Sequence, residues 1–450
     1  MAHTATATEP TINLEAGRRI SSDANKLSID DRAAHDWYRF VLSYPPHLVR
    51  DYLARFRVSS EQRVLDPFCG TGTTVVECKK LGVPSIGVEV HPMANFASAT
   101  KVDWGVDPSE LEESSQRIAA AATDELEASG IIDDPAPVLI AEMPDRKDLR
   151  TLAPEIEKLL LKNSISPLPL HKTLVLRDAI RSRGSEGCRS HHLLALAKAL
   201  VSSISNLEFG PEVGVGPAKA DAPVISKWLR LVHQMADDLR NLKPLANVPA
   251  TVHHADSRDI AALIAPESID AVITSPPYPN EKDYTRTTRL ETILLEFITS
   301  KKELQSLKRT MVRSNTRGVY KDDTDHHLVA DHAEIQRIAE AIEARRIELG
   351  KTSGFERLYA KVTKLYFGGM ARHFADLRRV LRPNAQLAYV VGDQASYLRI
   401  MIRTGQLLAS IARPLGYEVV AIDLFRTRLA TATREQLREE VVVLRWPGKQ

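Results

Sequence analysis

Asp270-Ala271-Val272-Ile273-Thr274-Ser275-Pro276-Pro277-Tyr278 is the stretch from which the rest of the chain can be read. Its run of β-branched residues, Val272 to Thr274, predicts a buried parallel strand, and two prolines stop it abruptly. Neither proline donates a backbone N–H and each fixes its own φ, so Ser275 to Tyr278 is expected to form a stiff loop at the C-terminal end of the strand. Open α/β sheets bind their ligands at that end. The loop offers a hydroxyl at Ser275, a carbonyl left free by the missing donors and an aromatic face at Tyr278. Together these suit an exocyclic amino group on a flat base.

A second strand-to-loop transition lies upstream. Arg63 to Asp66 reads as a short apolar strand, followed by Pro67-Phe68-Cys69-Gly70-Thr71-Gly72-Thr73-Thr74 and a helix from near Thr73 to Leu81-Gly82. Gly70 and Gly72 let backbone pass close to a ligand, and the helix start presents unpaired N–H groups there. The next strand, Pro84 to Val90, carries Glu89 about 20 residues after the loop opens, the spacing that sets a carboxylate on ribose hydroxyls in dinucleotide folds. The plainer reading of Glu89 is a solvated strand end. A phosphate-gripping loop would place a Lys after its last glycine, whereas this one has Gly72-Thr73-Thr74. Asp66 puts a negative charge at the loop's start, which suits a cationic amino-acid portion and points to S-adenosylmethionine.

Composition narrows the class. The chain has 450 residues, of which 43% are hydrophobic, enough for a large core and two or three domains. A formal charge of +2 gives no strong overall field, so a nucleic-acid surface would have to be a local patch. Cys69, Cys78 and Cys188 show no ligand-like pairing, which argues against structural zinc and a disulfide framework and favours a reducing cytoplasm. No stretch approaches the roughly 20 apolar residues of a membrane span, and Met1 to Pro10 has no exported character.

Asp66-Pro67-Phe68-Cys69-Gly70-Thr71-Gly72-Thr73 and Thr274-Ser275-Pro276-Pro277-Tyr278 together resemble the signature of amino-methylating DNA methyltransferases, and Ser-Pro-Pro-Tyr resembles their N4-cytosine branch. The resemblance covers about Asp36 to Asn95 and Thr251 to Val443. It implies a Rossmann-like α/β sheet with an antiparallel final strand, and S-adenosyl-L-methionine held by Asp66, Pro67, Phe68, Gly70, Gly72, Thr73, Glu89, Asp256 and Ser257. By the same resemblance, Phe40 to Pro46 covers the methionine moiety and Asp256 meets the adenine. The resemblance further implies double-stranded DNA as substrate, with the target base flipped out, and a restriction endonuclease as a candidate partner. Ser275 and the Pro276 carbonyl would accept the amino hydrogens, Pro277 would stiffen the loop and Tyr278 would stack on the base. C5 methylation would need a cysteine nucleophile, and Cys69 and Cys78 lie in the cofactor region instead.

The remaining segments are expected to serve this centre. Residues 1–30 read as a disordered tail, 31–100 with 251–450 as the catalytic domain, 101–250 as a helical insertion suited to DNA recognition, and 299–354 as a basic helical excursion. Within the insertion, helices are expected over Leu111–Ala128, Ala153–Lys162, Leu193–Ser205 and Ser226–Leu242. Arg177 to His192 reads as a basic, glycine-containing loop in which Arg181 and Arg183 follow a phosphate backbone; a merely solvated loop stands level with that reading. From Glu281 to Lys321 ten Lys or Arg face five Asp or Glu, and Arg286, Arg309, Arg313 and Arg317 are the expected DNA-facing cations. Asp322 to His327 is read as helix-terminal charge for Asp331 to Leu349, with no metal expected. A helix over Leu358–Val380, a turn at Leu381–Asn384 and strands over Gln386–Val391, Tyr417–Phe425 and Glu440–Trp446 close the sheet. An adenine-N6 or RNA amino methyltransferase is the alternative within the class. A non-catalytic S-adenosylmethionine-binding nucleic-acid-binding protein is the alternative outside it.

Overall fold

A computed structural model describes residues 27–39, 43–133, 149–209, 212–280, 282–429 and 436–448. The tail expected at 1–30 therefore lies outside the described residues as far as 26.

Nine strands are described: β1 (Val64–Asp66), β2 (Ser85–Glu89), β3 (Leu207–Phe209), β4 (Val213–Val215), β5 (Ala250–His254), β6 (Ile269–Thr274), β7 (Leu381–Gly392), β8 (Glu418–Leu429) and β9 (Gln436–Trp446). Seven of them form one sheet in the order β5-β2-β1-β6-β7-β9-β8, and β3 pairs only with β4. The pairs from β5 through β7 are parallel, and β9 runs antiparallel to both β7 and β8. This is the expected Rossmann-like α/β sheet. The chain moves outward from β1 through β2 to β5, then returns to lay β6 on the other flank of β1. The gap between β1 and β6 is thus the switch point at which a crevice opens above the carboxyl ends.

Alternation along β6 explains why a nearly continuous apolar run was needed. Ala271 and Ile273 face Leu48, Val49, Tyr52 and Phe56 of the helix Pro46–Phe56, while Val272 faces the helices Ala333–Glu348 and Tyr359–Leu377 on the other side. Both faces are covered, as a parallel sheet requires. Pro46 occupies the first turn of its helix, where its missing N–H costs nothing.

Helices Pro108–Ala128, Pro167–Arg183, Arg189–Ala199 and Val224–Leu242 pack into one apolar cluster with Trp37, Val75, Val76, Met93 and Ala97. The described helices between 101 and 250 thereby share a core with the helices that follow β1 and β2. Four local expectations need correction. Ala153–Lys162 contains only the short helix Pro154–Glu157, because its apolar residues pack sideways onto Ile293 and Ile298 instead of building a helical stripe. Arg177 to His192 is mostly helical, with the break confined to residues 184–188. The final hairpin is longer than expected, leaving only residues 430–435 between β8 and β9. The turn expected at Leu381–Asn384 is absorbed into β7 as an irregularity, with Asn384 at φ +68°.

Candidate active site

The glycine loop is shaped by two left-handed residues, Gly70 at φ +51° and Gly72 at φ +89°. A Cβ on Gly72 would lie 3.0 Å from Cβ of Ser98, so only glycine lets the helix Thr73–Lys80 start this close to the helix Pro92–Val102. At Gly70 a Cβ would meet nothing within 4 Å; its side opens on a cavity.

That cavity, of about 330 Å³, lies over the β1–β6 switch point. Pro67, Phe68, Gly70, Thr73, Glu89, Asp256 and Ser257 line it together with Ser275, Pro277 and Tyr278. The two motifs are also bonded directly: Thr274 Oγ1 donates to Asp66 Oδ1 at 2.6 Å, and Thr74 Oγ1 donates to the Ile273 carbonyl at 3.0 Å. Gly72 and Pro276 are both buried and do not line the cavity.

Asp66 departs from expectation. Its carboxylate, expected to face the cofactor's cation, is fully buried and does not line the cavity. It accepts from Thr274, from the Phe68 N–H at 3.2 Å and from Tyr44 at 3.0 Å. Burial raises its pKa to about 6 against the pull of those donors. Its physical work is to hold three chain segments together.

Glu89 does face the cavity. Oε2 accepts from the Gly70 N–H at 2.8 Å and Oε1 from the His91 N–H at 2.7 Å, so the carboxylate orients the glycine loop. Burial pushes its pKa up to about 7. Asp256 also lines the cavity, but Arg258 holds it in a fork, Nη2 at 2.7 Å from Oδ2 and Nε at 3.0 Å from Oδ1. Arg258 in turn pairs with Asp325 at 2.6 Å. The cavity therefore meets Asp256 as half of an ion pair. Ser257 is buried and its carbonyl accepts from His373 Nδ1 at 2.7 Å.

On the opposite wall, Ser275 Oγ donates to the Val390 carbonyl at 3.0 Å. With its one proton committed to β7, the hydroxyl has only lone pairs left, and can act on a ligand only as an acceptor. Tyr278 packs beside Gly392, where a Cβ would come within 3.2 Å of its ring.

The N-terminal element is partly described, residues 40–42 lying outside the described set. Ser43 and Tyr44 line the cavity, and Tyr44 bonds to both Asp66 and Thr74. Lys101, which sequence reasoning passed over, is buried and donates to the Thr71 carbonyl at 2.6 Å and to the Tyr38 carbonyl at 3.2 Å. It ties the glycine loop to this element. Burial lowers its pKa to about 7. Its position at a helix end in an apolar context gave no sequence signal.

Comparison with known proteins bears on what such a cavity holds. The family described as DNA methylase, of the N6/N4 class, matches residues 25–95, the region of the N-terminal element, the glycine loop and Glu89. Type II methyltransferase M.BsoBI of Geobacillus stearothermophilus is 24% identical over 95% of this chain and 86% of its own length. M.AvaI of Nostoc sp. is 23% identical over 95% of this chain and 89% of its own length. These similarities support an amino-methylating DNA methyltransferase using S-adenosylmethionine. Among solved structures, TrmN from Thermus thermophilus aligns at a TM-score of 0.27 and 12% identity over 89% of this chain and 48% of that one, too slight a likeness to carry weight.

The cavity fits the donor of such a methyltransferase. Glu89 offers an acceptor at a strand end for ribose hydroxyls, and Phe68, Val88 and Ala255 offer apolar wall for an adenine ring. The expected DNA-facing arginines fare differently. Arg181 lies on the helix Pro167–Arg183, paired with Glu296 at 2.6 Å, and Arg183 is exposed at that helix's end. Arg309 pairs with Asp322 at 2.5 Å and lies over the Tyr320 ring. Arg313 is buried: it pairs with Asp323 and donates to the carbonyls of Lys308 at 2.7 Å and Arg309 at 2.9 Å, capping the helix Lys301–Thr310. Arg317 is exposed beside Phe355, and Arg286 is half-buried in the short helix Tyr284–Thr287. None of the six lines the cavity. The acidic run Asp322–Asp325, expected to serve the following helix, instead pairs with Arg309, Arg313 and Arg258. The basic residues that do line the cavity are Lys282, Arg426 and Arg428, which sequence reasoning missed.

Proposed function

We propose that this chain transfers a methyl group from S-adenosylmethionine to the exocyclic N4 amino group of a cytosine flipped out of DNA, at a defined sequence. The observation that carries the reading is the sharing of one cavity by Glu89 and Gly70 with Ser275 and Tyr278, above strands bonded to each other through Thr274 and Asp66. When bound, the sulfonium supplies a strongly electrophilic methyl. The protein's contribution is position and hydrogen-bond polarity. Ser275, its proton held by Val390, accepts one amino hydrogen, and the Pro276 carbonyl, behind the cavity wall in this structure, is the acceptor proposed for the other. Both turn the nitrogen lone pair toward the donor. Tyr278 stacks on the base and offsets the few kcal/mol that extrusion costs. Pro277 keeps the loop from collapsing into the vacated space.

Residues 101–250 and 299–354 are proposed to read the flanking sequence, since the sheet itself offers only the cavity. Of the predicted cations, Arg183 and Arg317 have exposed positions that suit phosphate contacts. A restriction endonuclease partner fits the likeness to Type II methyltransferases.

The test is expression in a host without DNA methylation, followed by nucleoside mass spectrometry and mapping of modified positions. N4-methylcytosine in one sequence context is expected; N6-methyladenine would move the assignment to the other branch, and unmodified DNA with modified RNA would replace the substrate. Ser275→Ala should lower turnover about 10²- to 10³-fold with S-adenosylmethionine affinity unchanged. Equal turnover by the two proteins would remove Ser275 from the mechanism.

A further inference from the structure

The cavity has a cationic end to which the methyl-transfer scheme gives no role. Lys282 enters it from the segment after the catalytic loop, and Arg426 and Arg428 enter from β8. Strict alternation would turn Phe425 and Arg426 to opposite faces, yet both line the cavity. The irregular register between Leu424 and Arg426 explains this, because a bulge re-aims the side chains that follow it.

Within ion-pair reach, Glu439 answers these charges, and Glu212 acts on Lys282 from farther off. Glu439 takes Arg426 in a fork at 2.5 and 3.0 Å, and its Oε1 lies 3.5 Å from Arg428 Nε. Among the described residues no carboxylate comes within ion-pair distance of Lys282. Against Glu439 and the more distant Glu212, the three cations leave a positive excess around this end of the opening. Lys282 is held below the usual lysine range, by burial first and then by the charge of Arg428, so these two groups repel each other in the unliganded protein. The Arg428 side chain is 42% exposed, free to meet a ligand from the solvent side. An anion seated between Lys282 and Arg428 would convert repulsion into two charge-assisted hydrogen bonds.

The position selects which anion. A Cβ on Gly392 would lie 3.2 Å from the Tyr278 ring and 3.4 Å from Glu439 Cγ, so the Arg426–Glu439 pair stands beside the stacking tyrosine, at the base end of the cavity. We propose that Lys282 and Arg428 clamp the backbone phosphate adjoining the extruded nucleotide, with the Arg426–Glu439 fork as the fixed support that aims Arg428. The inference rests on reading this cavity as a nucleobase site. Such a clamp carries no sequence information; it holds the flipped conformation by its backbone.

The test uses the full chain and duplexes carrying the sequence context read from the methylated host genome, or a mixed-sequence duplex where that genome carries no modification. Each duplex is unmodified or has one methylphosphonate immediately 5′ or 3′ of the target base. Binding is followed by fluorescence anisotropy across a salt series. Arg428→Ala should flatten the dependence of log affinity on log salt by about 0.9, the loss of one phosphate contact. One of the two methylphosphonates should weaken wild type about tenfold and leave Arg428→Ala nearly unaffected, while Arg428→Lys retains most of the wild-type slope. Lys282→Gln supplies the same readouts if Arg428→Ala does not fold. Wild-type slopes in both neutral variants, or equal methylphosphonate penalties in wild type and variant at both positions, would overturn the clamp. The two readings fail separately: methylation by wild type with unchanged variant slopes removes only the clamp, and a lost slope in a protein that never methylates DNA removes only the reaction.

Discussion

On the proposed role of Glu89 as the acceptor for the cofactor's ribose, cofactor binding is pH-dependent in a calculable way. Both of its oxygens hold backbone N–H groups, of Gly70 and His91, and burial lifts its pKa from the usual 4.5 to about 7. A ribose hydroxyl donates best to the ionised form, so binding is linked to loss of one proton below that pKa. For a single group of pKa near 7, the bound-competent fraction falls about tenfold between pH 8 and pH 6, and about tenfold more for each further unit. Isothermal titration of S-adenosylmethionine across that range, in buffers of differing ionisation heat, reads both the affinity and the proton released. The unliganded protein should move oppositely. A carboxyl whose folded pKa is raised contributes stability that is complete below its unfolded value of 4.5 and is lost as pH rises through about 7. Melting temperature should therefore fall over this window while the stabilisation given by S-adenosylmethionine grows. In Glu89→Gln the slope should vanish, at weaker affinity, because the amide must turn one N–H group toward a backbone donor. An affinity that is flat from pH 6 to 8 in wild type, or a slope that survives in Glu89→Gln, would refute the reasoning.

Three further outcomes follow from single contacts. Gly72→Ala forces a left-handed residue at φ +89° and a 3.0 Å approach to Ser98, costing about 2–4 kcal/mol in denaturant unfolding; Gly70→Ala, with open space around it, should cost only about 1–2 kcal/mol. Arg258→Met strands Asp256 and Asp325 without their shared partner in a largely buried setting and should cost about 3–5 kcal/mol in denaturant unfolding. Thr274→Val removes a donor from buried Asp66 without changing side-chain volume; calorimetry should show a loss of about 1–3 kcal/mol.

The sheet and its two loops were legible because each is written in consecutive residues. An apolar run that ends in Pro276-Pro277, and another that ends in Gly70 and Gly72, name their own strand ends, and the family resemblance of the two motifs implied the sheet in which β1 lies beside β6. The charged residues were misjudged wherever their partners lie elsewhere in the chain. The basic excess of five counted from Glu281 to Lys321 stops one residue before Asp322; extended to Asp325 it becomes ten against eight. Those acids are the ones that pair with Arg309 and Arg313. Asp66 was misplaced for a related reason: its three donors, at positions 44, 68 and 274, converge only in the fold.

The same contrast explains why the cations at the cavity went unseen. Arg426 and Arg428 sit in a strand whose alternation, taken at face value, gives them no special direction, and Lys282 is one basic residue in a crowded segment. Their convergence needs the bulge at Leu424–Arg426, a slip of register that follows from pairing with β9 and leaves no composition signal. An arginine paired at short range, such as Arg313, has already spent its charge on the fold. The cations still available to a phosphate are those with too few carboxylates nearby, and that deficit can be read only after every long-range partner has been found.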